Sequence, residues 1–254
     1  MAQYRFLKLA AVSALATAGI AGAAQAKTTV YEAILADLSG LGGSGNARVT
    51  YNSDAKTLGV KITGTGFAPD MLHVQHIHGR VGPDGESLDS VSPSFGSNGT
   101  GGDDLDGDGV LELTEGAPKY GDILLPLLDS TMLDNGFDGF PAVTDAVGTL
   151  DFDALFDLSN NDAFNADFTV ENLFPLDKRE IVVHGAFLSA GIGGVGNETG
   201  DIAAGYSAFV PVAAGDLKMV SGGVSPVPLP AAAWLLMAGL GGLGAVRRFG
   251  KRTS

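Results

Sequence analysis

Ala47-Arg48-Val49-Thr50-Tyr51-Asn52-Ser53-Asp54-Ala55-Lys56-Thr57-Leu58-Gly59-Val60-Lys61-Ile62 is the stretch on which the fold turns. Ala47, Val49 and Tyr51 alternate with polar residues, as do Leu58, Val60 and Ile62. A period of two puts one face of a strand inward and the other outward. Asn52-Ser53-Asp54 is a turn signal between the two runs, so the pair reads as a β-hairpin. Upstream, 28–38 alternates the same way, with Tyr31, Ala33 and Leu35 on one face and Val30, Glu32 and Ile34 on the other. Residues 39–45 form a glycine-serine turn, and Gly64, Gly66 and Pro69 end the hairpin.

Further along, His73-Val74-Gln75-His76-Ile77-His78-Gly79 is expected to be a strand, closed by the turn Gly82-Pro83-Asp84-Gly85. A long polar stretch, 86–118, is expected to carry no regular structure. Residues 123–128 are apolar, and 129–146 read as loop. In 147–158, Leu150, Phe152, Phe156 and Leu158 share one face of a strand. Residues 168–173 fit either a short helix or a strand, and 178–187 is a strong strand. Glycine-rich text fills 191–200, and 206–212 is expected to be the last strand. Seven or eight short strands with glycine turns predict an all-β sandwich or barrel.

The two ends of the 254-residue chain read as addresses. Residues 1–26 carry Arg5 and Lys8, an apolar run and Ala24-Gln25-Ala26, the pattern of a secretory signal peptide. Near the other end, 229–246 is free of charge and is followed by Arg247, Arg248, Lys251 and Arg252. An apolar run of about 18 residues is near the lower limit for a transmembrane helix, and the basic tail would stay cytoplasmic. Ser225-Pro226-Val227-Pro228 links it to a single domain, 27–225.

That domain is strongly acidic. Six of the 15 basic residues lie in the two ends and all 29 acidic residues lie between, which leaves nine bases against 29 acids, a formal charge of −20. Such a surface repels nucleic acid and favours cations. There is no cysteine, so an exported chain of this kind relies on its core and on metal rather than on disulfides.

Asp104-Leu105-Asp106-Gly107-Asp108-Gly109-Val110-Leu111-Glu112-Leu113-Thr114-Glu115 fits the EF-hand calcium pattern throughout. Asp104, Asp106 and Asp108 converge when the chain coils, and Gly109 permits the sharp turn. The Val110 carbonyl and Glu112 add oxygens, and Glu115 closes the site with two more. The competing reading is a solvated acidic loop. Gly99-Thr100-Gly101-Gly102 before it and Gly116-Ala117-Pro118 after it do not suit the two long helices of an EF-hand. An isolated, structural calcium loop is expected.

Three of the four histidines fall in 73–79, and the fourth ends Ile181-Val182-Val183-His184. On a strand His76 and His78 point the same way, and His73 points to the other face unless a bulge intervenes. His76, His78 and His184 can ligate one copper or zinc ion; they equally suit hydrogen bonding at a barrel mouth.

Residues 58–79, ending in His76-Ile77-His78-Gly79, resemble the CHRD domain, the chordin-type module of exported proteins. So do Arg179-Glu180-Ile181-Val182-Val183-His184-Gly185 and residues 206–215. The resemblance implies an antiparallel Greek-key sandwich or barrel and extends, more distantly, to the copper/zinc superoxide dismutase barrel, where matching strands supply copper ligands. His76, His78 and His184 match those positions; the bridging and zinc histidines, the disulfide and the guiding arginine of that family have no counterpart here. Val227-Pro228-Leu229-Pro230-Ala231, the apolar run and the arginine cluster resemble the VPLPA form of the PEP-CTERM sorting signal. That resemblance implies an exosortase-type partner and transfer to the cell surface.

The expectation is an exported cell-surface or matrix-associated binding or structural module, not an enzyme, with calcium in the loop and extracellular polysaccharide as a possible contact. The alternative is a copper redox protein using His76, His78 and His184. Deleting 226–254 is expected to move the domain from the membrane to the soluble fraction of fractionated cells. A shortened chain that stays with the membrane refutes the anchor.

Overall fold

The computed structural model describes residues 27–38, 40–95, 102–129, 139–141, 143, 145–190, 192 and 205–224. The expected signal peptide 1–26 and the expected transmembrane and sorting segment within 225–254 lie outside them, as do most of the loop 129–146 and of the glycine-rich run 191–200. Among the described residues no helix is long and apolar enough to cross a membrane.

Ten described strands form one antiparallel sheet. The hairpin is present as β2 (Ser44–Asn52) and β3 (Thr57–Thr65), in register from Ser44 opposite Thr65 to Asn52 opposite Thr57. β1 (Lys27–Asp37) pairs with β2, and β7 (Leu150–Asp157) pairs with β3. The alternation read from the sequence holds across this half. Tyr31, Ala33, Leu35, Ala47, Val49, Leu58, Val60, Ile62, Leu150, Phe152 and Phe156 all enter one buried cluster. Ile34 and Leu155 point the other way, at 79% and 72% exposure. That outer face pairs its charges across strands, Arg48 with Glu32 and Lys61 with Asp151 and Asp153. Such exposed pairs set register more than they stabilise.

The other half contains β4 (Gln75–Val81), β5 (Ser87–Leu88), β6 (Asp122–Pro126), β8 (Glu180–Leu188) and β9 (Gly205–Asp216). β4 is flanked by β8 on one edge and by β6 and then β5 on the other. β1 joins the halves: its start pairs with β10 (Lys218–Val224), and Ala36 and Asp37 at its end pair with β9. Ile77, Ile181 and Val183 share the buried cluster with the first half, so both halves face the same core.

Three expectations are corrected. The strands number ten among the described residues, not seven or eight. The last strand is β10, whose exposed Met219 and Val220 carry no inward alternation to reveal it. The stretch 86–118 is not without structure: it contains β5 and most of α1 (Leu113–Tyr120), a helix that holds both Gly116 and Pro118. The ambiguous segment resolves as a short helix, α2 (Val170–Leu173).

Arg179 is the largest fully buried side chain among the described residues. Its guanidinium donates to the carbonyls of Asn172 (2.7 Å), Leu173 (3.1 Å), Phe174 (3.3 Å) and Leu88 (3.2 Å), and to Ser87 Oγ (2.6 Å). It therefore ties α2 and β5 to the start of β8. Arg179→Leu would strand those carbonyls and is expected to cost about 3 kcal/mol, measured by urea denaturation.

Candidate metal centres

β4 is buried on both faces, because Ile77 enters the core while His76 and His78 face the opposite side. β8 lies beside it in antiparallel register and carries His184. The pairing with β9 shifts on both sides of His184, where Gly185 has φ +115°. A Cβ at Gly185 would lie 2.0 Å from the Tyr206 hydroxyl and 3.0 Å from His73 Nδ1, so only glycine lets those rings close on this turn.

The three expected histidines come together. His76, His78 and His184 are 6%, 1% and 2% exposed. Each offers one nitrogen within 4.8 Å of the other two. Imidazole nitrogens on one ion sit about 3.5 Å apart when each bond is about 2.0–2.1 Å, so a contraction of at most about 1.3 Å closes the set. His78 Nδ1 lies 3.0 Å from the Gly121 carbonyl, and His184 Nδ1 lies 2.7 Å from the Phe209 carbonyl. A carbonyl only accepts, so both Nδ1 atoms carry the proton and both Nε2 atoms keep a lone pair. Those two Nε2 atoms and His76 Nδ1 are buried with no hydrogen-bond partner among the described residues. Each such orphan costs about 1–3 kcal/mol.

All three rings are neutral at pH 7. Burial pulls the His78 pKa down to about 3, helped by nearby His184 and opposed by the Gly121 bond. Burial likewise lowers His184 to about 4 against the Phe209 bond. His76 falls well below its ordinary value through burial, then through His184 and His78. Neutral imidazole is the state that binds metal. Among the described residues no carboxylate belongs to the group.

His73 does not join them. It precedes β4, and its two nitrogens face the carbonyls of His184 (2.9 Å) and Ala68 (3.1 Å). Phe67 and Tyr206 meet it edge-on, at 5.2 and 6.2 Å. It holds the His184 backbone from outside rather than contributing a ligand. The groups unforeseen from the sequence are Phe140, 5.8 Å from the His76 ring, and Tyr120, 4.6 Å from the His78 ring. Tyr120 ends a segment that reads as loop, and carbonyl oxygens such as that of Gly121 have no signature at all.

The acidic loop also assembles. Asp104 accepts from the amides of Gly107 (2.8 Å) and Gly109 (3.1 Å), and Asp108 accepts from Val110 (2.8 Å). Gly109 has φ +89°, the turn its position requires. Glu115 reaches back to the amides of Leu105 (2.6 Å) and Glu112 (3.1 Å). Oxygens of Asp104, Asp106 and Asp108 form one close group, and those of Asp106, Glu112 and Glu115 form a second, so Asp106 links the two. Val110 turns its side chain into the main core. Glu112 is 0% exposed, and neither of its carboxylate oxygens has a partner among the described residues. Burial, then Glu115, Asp108 and Asp106, raise its pKa to about 9. A carboxyl group buried beside other carboxylates is one that a cation would stabilise in its charged form. No helix precedes the loop among the described residues; Phe95 and Gly102 form a β-bridge there instead.

Neither a scan against protein-family models nor a search of curated proteins finds a match for this chain.

Glu180 lies opposite His78 in β4 and opposite Asp216 in β9. The Ser92 hydroxyl donates to it. Burial raises its pKa from 4.5 to about 8, with Asp216 adding to the rise and Ser92 and Lys218 opposing it. The folded chain thus keeps a proton that the unfolded chain releases near pH 4.5, and this group's contribution to stability falls as pH rises towards 8. Glu112, with a pKa raised to about 9, adds a fall of the same sign, and the unfolded-state histidines add an opposing rise near pH 6.5. Between pH 7 and 8 the fall seen in thermal melts is therefore expected to become shallower, not to vanish, in Glu180→Gln. An identical slope in the variant refutes the assignment.

Proposed function

We propose that the chain is an exported, surface-held binding or structural module with two metal sites of different chemistry. Ca²⁺ sits in the 104–115 loop on Asp104, Asp106, Asp108, the Val110 carbonyl, Glu112 and Glu115. A transition ion, copper or zinc, sits on His76, His78 and His184. The observation that carries the reading is the convergence of three buried, uncharged imidazoles whose inward nitrogens have no partner among the described residues. Soft-to-borderline nitrogen donors suit copper and zinc, whereas the hard oxygens of the loop suit calcium.

The same reading makes the fold a Greek-key sandwich or barrel of the CHRD type. Its support is the histidine-bearing strands side by side and β1 shared between two halves that face one core. Export, membrane attachment, recognition by an exosortase-type enzyme and display at the cell surface are proposed on residues 1–26 and 225–254. An acidic domain displayed there would meet extracellular polysaccharide and cations rather than nucleic acid. A second reading, copper redox chemistry of the superoxide-dismutase kind, is favoured by the all-imidazole donor set. The bound ion would supply electron transfer, and the three histidines would hold it.

Metal analysis of the purified full-length chain tests the reading. One equivalent of copper or zinc is expected, lost when His76 and His184 are both replaced by Ala. Absence of any such ion after loading refutes the histidine site. Calcium a hundredfold above its Kd is expected to raise Tm by about 5–10 °C. Asp104→Ala with Asp108→Ala should abolish that rise, and a wild type that shows none refutes the loop site.

A further inference from the structure

We infer that the two sites are coupled through α1: an ion in the acidic loop raises the affinity of the histidine centre for its own ion, with Tyr120 and the Gly121 carbonyl as the positioning groups. The inference rests on the two-site reading above and adds a linkage between the sites.

The physical path is short and continuous. Glu115, which closes the loop, lies in the first turn of α1, and Glu112 caps the same helix. Tyr120 is the last residue of α1 and is 0% exposed. Its ring lies 4.6 Å from His78 and 6.5 Å from His184, and its hydroxyl donates to the Leu113 carbonyl at 3.2 Å, back at the start of the helix. The ring packs so closely over Gly116 that a Cβ there would fall 2.4 Å from it. Leu111, inside the loop, shares a buried cluster with Tyr120 and with Val182 of β8. The next residue, Gly121, donates its amide to the Ala117 carbonyl at 2.8 Å and accepts from His78 Nδ1 at 3.0 Å. It is wedged against β4, where a Cβ would meet the Gly79 carbonyl at 2.4 Å.

Each link has a consequence for the histidine centre. The Gly121 carbonyl holds the His78 proton on Nδ1 and so leaves Nε2 bare for a metal. The Tyr120 ring fixes the plane of that imidazole. Both groups are as well placed as α1 is, and the N-terminal turn of α1 is built from the loop. Without a cation, the like-charged groups Asp106 and Glu115 repel one another across that turn, beside the buried Glu112 side chain. A bound Ca²⁺ removes the repulsion and holds the turn, and the centre then binds its ion without first ordering its ligands. Direct charge works the other way, since Ca²⁺ weakens the attraction of the loop for a second cation. From Glu115 to Gly121 the helical rise is about 9 Å, near the Debye length of about 8 Å at physiological salt. Salt screens such buried groups only weakly, so the two effects compete; we take preorganisation as the larger, and the titration decides between them.

Cu²⁺ titration of the full-length chain, with and without saturating calcium, tests the coupling. Binding is followed by nitrogen hyperfine splitting in the EPR spectrum, a signal that carboxylate-bound copper does not produce. Calcium is expected to tighten copper binding at least about fivefold, and copper should tighten calcium by the same factor. Tyr120→Leu should bring that factor close to one, and Tyr120→Phe, which keeps the ring, should preserve it. Copper bound equally well or more weakly with calcium overturns the coupling while leaving both sites standing. A coupling undiminished in Tyr120→Leu overturns the assigned path. No nitrogen-coupled copper in either condition, or no calcium uptake, removes a site itself and the inference with it.

Discussion

Two carbonyl oxygens, those of Gly121 and Phe209, each take the Nδ1 proton of a buried histidine, and the character of the whole region follows from that. Once the proton is on Nδ1, the Nε2 atoms of His78 and His184 present lone pairs to a space from which solvent is excluded, and His76 Nδ1 joins them. A domain whose net stability is about 5–15 kcal/mol tolerates three such orphans in one place poorly. An ion held by all three imidazoles turns the cost into binding. This is the physical argument for the proposed centre, and it stands without any charged ligand.

Around that centre the molecule is built in layers of decreasing polarity tolerance. β4 sends Ile77 into the main core and its histidines to the other side. β8 repeats the arrangement, with Ile181 and Val183 inward and Val182 in the smaller cluster beside Tyr120. Outside, His73 and Tyr206 brace the turn at Gly185, and Arg179 binds the carbonyls that α2 and β5 leave open. The acidic loop lies against the smaller cluster through Leu111, so a strongly acidic segment and a buried apolar cluster share a wall. That adjacency makes one short helix sensitive to both.

Local pattern made much of this legible. The hairpin of β2 and β3, the inward faces of β1 and β7, and the shared direction of His76 and His78 follow from a period of two and reappear in the structure. The carboxylates of the loop converge as their spacing requires. β10 was hidden because its outward apolar residues mimic a run-in to the linker. α1 was hidden because Gly116 and Pro118 argue against a helix, and it forms where Tyr120 can bury its ring against Gly116 and His78. The role of Arg179 was hidden too, since nothing in its neighbours announces the open acceptors that its buried guanidinium meets.

By itself the sequence determined the strand parities, the carboxylate spacing, the lack of disulfides and the charge of the domain, because each depends on residue type and on separation along the chain. Only the tertiary structure decided that His184 and not His73 completes the cluster, which nitrogen of His78 and of His184 is left bare, and that the loop runs through Tyr120 into the histidine wall. The reason is that those outcomes are set by backbone carbonyls and by close approach. Every residue carries a carbonyl, and only folding determines which one a buried ring will meet.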